Sequence, residues 1–142
     1  MHKAVTDASG NADAIIMAAA VADFRPAKTK QQKMKKSSKQ DQSSIDLEQT
    51  EDIISNVPKH LIRVAFAAET ENLLENATVK LEKKQVDFVV ANDVTSEGSG
   101  FGSDANKVWV LDTNGVEDLP LMPKYEVALA ILDKVAHLLA SK

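Results

Sequence analysis

The sequence predicts an α/β fold in which a mostly parallel sheet is flanked by helices, and three observations support this prediction. Short apolar runs, the first at residues 14–17, have the length and composition of strands buried in a parallel sheet. Amphipathic helical patterns follow at residues 71–84 and from Pro123 onward. An Asn-Gly pair at 114–115 separates two further strand-like runs, which is typical of a β-hairpin.

Composition limits the classes of protein that remain. A chain of 142 residues with 44% hydrophobic residues can bury one sizeable core, so we expect a single domain spanning 1–142. The net charge of −4 does not favour nucleic acid or an anionic membrane as a partner. The sequence contains no cysteine, which excludes disulfides and thiolate chemistry. Because no apolar run is long enough to span a membrane and no signal peptide is recognisable, we expect a cytoplasmic protein.

The most informative stretch is the end of the first predicted strand. Residues 18–20 are alanines, and small side chains at the carboxyl end of a strand allow a ligand to lie against the backbone. Asp23 adds acceptor oxygens and a negative charge, and Pro26 forces the chain to leave the sheet as a loop. This pattern is equally compatible with an ordinary buried strand followed by a turn.

A lysine-rich segment follows, with six lysines among residues 28–39. Such a segment is more often a solvated loop, but flexible lysines can also neutralise a phosphate during a reaction. Nucleic-acid binding is a third interpretation, and it is disfavoured because no aromatic residues are interleaved for base stacking.

The middle of the chain repeats the pattern of an apolar strand that ends in small and polar residues. Residues 44–48 alternate like a short edge strand, and Thr50 can cap a short helix that buries three apolar residues before Pro58: Ile53, Ile54 and Val57. The strand at 61–70 again ends in alanines and a carboxylate. Thr70 is expected to cap the helix at 71–84, whose inward stripe is predicted to comprise Leu74, Ala77 and Leu81. Lys80 and Lys84 lie on one face of that helix and could bind a polyphosphate or belong to a wet surface.

The last third is predicted to contain a third buried strand, a long loop, a hairpin and a helix. The strand covers residues 87–94, and the loop at 95–106 is long enough to suggest a functional or disordered segment. The final helix has a buried stripe of four residues: Val127, Ile131, Val135 and Leu138. The three histidines show no metal-ligand spacing.

The first ten residues resemble the last turns of a helix that ends near Gly10. A parallel sheet rarely begins with such a helix, because the helix needs a preceding strand to cross over from. We therefore expect that the chain begins partway through a domain.

Five of these segments, taken together, resemble phosphopantothenoylcysteine synthetase, the CTP-dependent ligase of coenzyme A synthesis that is often fused behind a flavin-dependent decarboxylase in bacteria. Each motif alone is weak, but the five occur in order and with similar spacing from about His2 to the end. The segments are AAAVADFRP (18–26), KMKK (33–36), FAAET (66–70), ANDV (91–94) and GFGSDAN (100–106).

The resemblance implies a Rossmann-like domain and a set of site residues. Ala19 and Ala20 would line the nucleotide site, and Asp23 would contact the ribose and base of CTP. Lys33 and Lys36 match the lysine motif of a loop that closes over the reacting groups. The resemblance therefore implies a catalytic role for both lysines and, for Lys33, a contact with the nucleotide as well. The other implied nucleotide-binding residues are Asp52, Ile53, Ile54, Phe66, Lys80 and Lys84. Glu51 stands where the family has a proline, and the roles of Asn92 and of the 100–106 loop are left open.

The resemblance also implies an activity and a departure from the family pattern. The reaction would join 4′-phosphopantothenate to L-cysteine through an acyl-cytidylate, with CTP as substrate. Mg²⁺ would accompany the nucleotide, and its protein ligands are unknown. The resemblance also implies a homodimer. The family's first strand, glycine-rich loop and Arg/Asn-bearing segment have no counterpart here, so the chain corresponds to the C-terminal two-thirds of the synthetase domain, with the N-terminal strand apparently missing. A non-catalytic nucleotide-binding or assembly module that needs a separate N-terminal piece is the alternative.

Overall fold

The computed structural model describes residues 1–33, 44–69, 71–95, 98–99 and 102–142. The chain divides into two compact units: Met1–Ala19 with Ile53–Lys142, and Ala20–Asp52. Within these residues the elements are α1 (His2–Ser9), β1 (Ala14–Met17), β2 (Phe24–Pro26), β3 (Leu47–Gln49), a 3₁₀ turn (Ile54–Asn56), β4 (Ile62–Glu69), α2 (Leu73–Lys84), β5 (Phe88–Asp93), β6 (Ala105–Asp112), β7 (Gly115–Pro123) and α3 (Lys124–Ala140).

The first unit is built on a sheet whose described strands have the order β1-β4-β5-β6-β7. Strands β1, β4 and β5 are parallel, with Ala14 opposite Ile62 and Val64 opposite Phe88. Strands β6 and β7 continue the sheet in the antiparallel sense. The predicted α/β class, the mostly parallel sheet and the closing hairpin-plus-helix are therefore confirmed.

Helices cover both faces of this sheet and form two core layers. The layer under α2 contains Ala77 and Leu81 packed on Ala65, Ala67, Val89 and Ala91. The layer under α3 contains Val127, Ile131 and Val135 packed on Val64, Phe88, Val90 and Val108, with Leu138 partly buried beside them. The stripe predicted for the last helix is confirmed, because its apolar residues recur at helical spacing and meet the sheet.

The inward stripe predicted for the preceding helix is wrong at one position. Leu74 is 44% exposed, and Leu73 packs against the core in its place. Leu73 lies four residues before Ala77 and Leu74 lies three, and both spacings place a leucine near the same helix face. The helix begins at Leu73 after Asn72, whose φ is +50°, and the expected capping residue Thr70 lies outside the described residues.

Strand β1 differs from the expected buried strand because it lies at an end of the described sheet. Ile16 points to the α3 face, on the same side as Ala14, and is 38% exposed. Among the described residues β1 pairs with β4 alone. The apolar pattern of residues 14–17 identifies a strand correctly, but it does not reveal which of its faces is covered.

The short helix predicted after Thr50 is reduced to the 3₁₀ turn Ile54–Asn56, which Pro58 prevents from continuing. The predicted burial of the apolar residues around it is confirmed, since Ile53, Ile54 and Val57 are 5–6% exposed. The opening helix is also confirmed, and it ends at Ser9 before Gly10.

The second unit contains a two-stranded antiparallel ribbon. Phe24 pairs with Gln49 and Pro26 with Leu47, and Arg25 forms an ion pair with Glu48 at 2.7 Å. The strand predicted at residues 44–48 is therefore observed, displaced to Leu47–Gln49.

The hairpin between β6 and β7 is fixed by Asp112. Its Oδ1 accepts hydrogen bonds from the backbone N–H groups of Asn114 at 2.7 Å and Gly115 at 3.2 Å. Its Oδ2 lies 2.7 Å from Lys134 Nζ of α3, and both side chains are largely buried. Burial acts to raise the pKa of Asp112, but Lys134 and the two backbone donors outweigh it, so the pKa lies below its ordinary value.

Candidate functional site

The carboxyl ends of the three parallel strands meet at one edge of the first unit. The β1–β4 ladder ends at the pair Met17–Ala65, whereas β4 continues to Glu69 beside β5. Ala18, Ala19 and Ala68 are exposed there. The result is a notch with small side chains at the point where β1 ends, and parallel α/β sheets bind ligands at this kind of edge.

Two of the predicted nucleotide-binding residues are brought together beside this notch. Phe66 is the first β4 residue beyond the ladder with β1, and its side chain is half-buried on the α3 face. Lys80 of α2 reaches across β4, and its Nζ donates a hydrogen bond to the Phe66 carbonyl at 3.0 Å. This bond holds the Lys80 ammonium next to the backbone of the strand that ends at the site. Lys84, one turn further along α2, is half-buried and has an interaction of its own.

Polar groups at the end of β5 border the same edge. Asn92 lies opposite Ala68 in the sheet register, and Asp93 accepts hydrogen bonds from the N–H (2.8 Å) and hydroxyl (2.6 Å) of Thr95. The Ser99 hydroxyl donates to the Asp93 carbonyl at 2.9 Å and accepts from the Lys107 N–H at 3.1 Å. Ser99 therefore fastens the loop after β5 to both β5 and β6.

A pocket of about 410 Å³ lies at the same edge, beside the first turn of α2. The residues that line it include Trp109 and three acidic residues: Glu71, Glu75 and Asp93. Carboxylates repel phosphate groups, so this pocket does not suit a triphosphate. Across the part of the chain that the structure describes, no group of three or more acidic, histidine or cysteine side chains is arranged to hold a metal ion.

The remaining predicted site residues fall into three groups. Ile53 and Ile54 have buried side chains, so a nucleotide could contact them through their backbone only. Ala20, Asp23, Lys33 and Asp52 belong to the second unit, where the Asp23 carbonyl accepts a hydrogen bond from the Thr50 N–H at 2.8 Å. Lys33 and Asp23 are exposed. Lys36, Gly100 and Phe101 lie outside the described residues.

Sequence reasoning missed Ser99 and Trp109. Trp109 is the chain's single tryptophan and lies two residues after Lys107 on β6. The Lys107 Nζ lies 4.7 Å from the centroid of the Trp109 ring. That spacing is the available signal, because residues two apart share a face of a strand. No sequence signal identifies Ser99, since its role depends on the path of the loop.

The strand order and the helices on both faces of the sheet together define the chain as a Rossmann-like α/β protein. The family description "DNA/pantothenate metabolism flavoprotein C-terminal domain" matches residues 1–139. The chain belongs to this family. Among the described residues, no helix is both long and apolar enough to cross a membrane.

Two relatives are similar to this chain over nearly its whole length. It is 37% identical over 143 residues to a coenzyme A biosynthesis bifunctional protein CoaBC of Vibrio vulnificus, a match that spans 98% of this chain and 36% of the relative. The corresponding protein of Bacillus subtilis is 40% identical, with 97% of this chain and 34% of the relative covered. The chain thus spans about a third of the length of these relatives.

Solved structures give the same fold. A crystal structure of the C-terminal domain of a CoaBC bifunctional protein superposes with a TM-score of 0.76 at 33% identity, covering 99% of this chain and 62% of that one. The DNA/pantothenate metabolism flavoprotein from Streptococcus pneumoniae has the same fold, with a TM-score of 0.74 at 21% identity over 96% of this chain and 68% of that one.

Proposed function

We propose that this chain acts in coenzyme A biosynthesis as part of a phosphopantothenate–cysteine ligase that uses CTP. The observation that carries the proposal is the notch at the carboxyl ends of β1 and β4, with Phe66 and Lys80 joined beside it. Family membership and the names of the relatives point to the same pathway. We further propose a cytoplasmic homodimer as the working form.

The proposed reaction joins two molecules in two steps. A carboxylate oxygen of 4′-phosphopantothenate attacks the α-phosphorus of CTP, and pyrophosphate leaves. The amino group of L-cysteine then attacks the acyl carbon, CMP leaves, and the amine loses a proton. Both partners in the first step are anions, so cations near the phosphates are needed to lower the barrier.

Lysines of this chain can supply that positive charge. The hydrogen bond to Phe66 uses one of the three N–H donors of Lys80 and holds its ammonium near the notch. Lys33 is exposed in the second unit, in a segment rich in lysine. We assign Lys33 and Lys36 to the reacting groups, and Phe66, Lys80 and Lys84 to the nucleotide, with Ala19, Ala20, Asp23, Asp52, Ile53 and Ile54 completing the nucleotide contacts.

Mg²⁺ would enter as part of the Mg–CTP substrate. Magnesium in nucleotide sites is commonly held by phosphate oxygens with one or two carboxylates and several waters.

Calorimetric titration with CTP and with ATP, using the chain combined with the part of the solved relative that it does not match, tests nucleotide choice directly. We expect CTP to bind at least tenfold more tightly than ATP and the binding to weaken with salt, because lysines near the surface contribute screened charges. Equal or tighter ATP binding would contradict the assignment.

Substitution of Lys33 tests the catalytic part of the proposal. Pyrophosphate release is measured with CTP, Mg²⁺, 4′-phosphopantothenate and cysteine, for the chain combined with the part of the solved relative that it does not match. We expect Lys33→Ala to lower turnover on the order of a hundredfold with a small change in CTP affinity, because the charge acts on the transition state. Lys30→Ala, in the same exposed segment, is the matched control. If both variants retain normal turnover, the segment is a solvated loop.

A second candidate function is a non-catalytic nucleotide-binding module that needs a separate piece. An assay of the chain alone, without the part of the solved relative that it does not match, bears on this candidate. The chain covers about a third of the length of its relatives, and this observation favours testing it alone. We expect weak CTP binding and no pyrophosphate release from the chain alone. Robust turnover by the chain alone would contradict our placement of the site.

A further inference from the structure

Thr50 makes a contact that differs from the one its sequence position predicts. The pattern after it favours Thr50 as a helix cap, but the 3₁₀ turn Ile54–Asn56 begins after Ile53 and has no side-chain cap. The Thr50 hydroxyl instead donates a hydrogen bond to the Ala22 carbonyl at 2.5 Å, and the two residues are 28 positions apart. Thr50 therefore connects two distant segments of the chain.

The backbone of Thr50 holds the next carbonyl of the same segment. Its N–H donates a hydrogen bond to the Asp23 carbonyl at 2.8 Å. This bond lies one step beyond the pair Phe24–Gln49, which is the last pair at that end of the β2–β3 ribbon. Thr50, Ala22 and Asp23 all belong to the second unit, so both bonds lie within one compact body. A single residue thus holds two consecutive carbonyls just before β2.

The two carbonyls lie on either side of the Asp23 Cα atom. A peptide group is planar, so a bond that holds the Ala22 carbonyl also holds the plane that contains the Asp23 N–H. The bond to the Asp23 carbonyl holds the plane that follows. Together the two bonds restrain φ and ψ of Asp23, and with them the direction of its Cα–Cβ bond. Asp23 is exposed, so its carboxylate is oriented by this backbone and not by burial.

We propose that Thr50 is a positioning residue of the nucleotide site, whose hydroxyl orients the Asp23 carboxylate through the backbone on either side of it. This inference rests on the proposed function, in which Asp23 contacts the nucleotide. Thr50 also lies two residues before Asp52, so it connects two segments to which nucleotide contacts are assigned. A carboxylate that is oriented before the ligand arrives loses less conformational freedom on binding, which increases affinity.

A purely structural role for the Thr50 hydroxyl is the competing explanation. A two-stranded ribbon is marginally stable in water, and each hydrogen bond contributes to it. The two explanations differ in what happens when the Asp23 carboxylate is removed. A structural bond affects CTP binding equally with and without that carboxylate, whereas a positioning bond affects it only when the carboxylate is present.

The test compares CTP affinities by calorimetry, using the chain combined with the part of the solved relative that it does not match. Thr50→Val removes the hydroxyl but keeps the branched shape and the backbone N–H, and we expect about fivefold weaker binding. Thr50→Ser keeps a hydroxyl and should bind CTP within about twofold of the wild type. Thr78→Val is the matched control, because the exposed Thr78 hydroxyl also donates to a backbone carbonyl, that of Leu74 at 2.8 Å on α2. It should leave CTP affinity unchanged.

The double variant with Asp23→Ala separates positioning from a structural role. In the Asp23→Ala background, Thr50→Val should change CTP affinity by less than about twofold. A fivefold loss in that background would overturn the proposal, because the bond would then act on the ribbon as a whole. Urea denaturation of each variant checks that folding is retained, and Thr50→Ala replaces Thr50→Val in the same comparison if Thr50→Val unfolds the chain.

The same measurements allow the positioning role and the proposed function to fail separately. If Asp23→Ala weakens CTP binding and Thr50→Val does not, the positioning role is wrong and the nucleotide contact of Asp23 stands. If Asp23→Ala binds CTP as the wild type does, the contact assigned to Asp23 is wrong and the role of Thr50 falls with it.

Discussion

The two ends of the parallel sheet are built from similar strands but differ in how their polar groups are used. At the amino end of β5, Asp112 is surrounded by Lys134 and two backbone donors, and the Arg63 N–H donates to Asp87 at 2.7 Å while the Asp87 N–H donates to the Arg63 carbonyl at 2.8 Å. At the carboxyl end, Ala18 and Ala68 are exposed, and the Ser99 hydroxyl holds the loop after β5 by its hydrogen bond to the Asp93 carbonyl. Closed polar networks rigidify a structure, whereas exposed small residues leave space for a ligand.

This difference predicts that substitutions at the amino end affect stability and those at the carboxyl end affect nucleotide binding. The largest contrast involves two phenylalanines. Phe88 is fully buried and Phe66 is half-buried. We expect Phe88→Ala to lower the free energy of unfolding by about 3–5 kcal/mol and Phe66→Ala by about 1–2 kcal/mol, as burial scales the cost. Urea denaturation measures both values, and calorimetry should show weaker CTP binding for Phe66→Ala. Equal stability losses would remove the contrast.

The comparison also explains how far the sequence could predict the structure. The strands at 62–69, 88–93 and 105–112 carry continuous apolar runs, and the helix at 124–140 has a regular stripe, so local pattern was sufficient to identify them. The amino-end network was not predicted, because Asp112 and Lys134 are far apart in sequence and are brought together by the packing of α3 on the sheet.

Only part of the candidate site could be predicted, because local pattern identifies the strands but does not show how helices pack on them. The alanines at the strand ends and Phe66 lie on strands, so their position at one edge follows from parallel pairing. The contact between Lys80 and Phe66 depends on how α2 packs across β4, and the exposure of Ile16 depends on the position of β1 in the sheet. Neither is encoded in local periodicity. The roles assigned to the site residues remain predictions.

A second contrast compares two lysines. Lys134 pairs with the largely buried Asp112, whereas Lys80 bonds a backbone carbonyl at the open end. We expect Lys134→Met to lower the free energy of unfolding by about 2 kcal/mol, because it leaves a largely buried carboxylate without its charged partner. Lys80→Met should cost less than about 1 kcal/mol in stability and should weaken CTP binding about tenfold. Denaturation and calorimetry on both variants measure the two effects. If Lys134→Met weakened CTP binding and Lys80→Met did not, the assignment of nucleotide binding to the carboxyl end of the sheet would be wrong.

A third prediction concerns pH. The folded pKa of Asp112 lies below its ordinary value of 3.8, so its ionised form stabilises the fold above that pH, and this contribution is lost as the pH falls through the folded pKa. Asp112→Asn should therefore reduce stability by about 1 kcal/mol at about pH 6, with a smaller difference from wild type at about pH 3. Asp7→Asn is the control, since Asp7 forms an exposed pair with Lys3 on α1. A stability difference for Asp112→Asn that does not change with pH would show that the charge has no role.

The smallest expected effect on stability is at Ala68, and it sharpens the comparison most directly. Ala68 is exposed in β4 beside the notch, and valine suits a strand, so Ala68→Val should change the free energy of unfolding by less than about 0.5 kcal/mol. The added methyl groups would occupy the space in which the nucleotide is proposed to approach the backbone, and CTP binding should weaken severalfold as measured by calorimetry. Thr113→Val, exposed in the hairpin turn at the other end of the sheet, should leave CTP affinity unchanged. If Ala68→Val binds CTP as the wild type does, the nucleotide does not approach β4 at this position, and the notch is not the site.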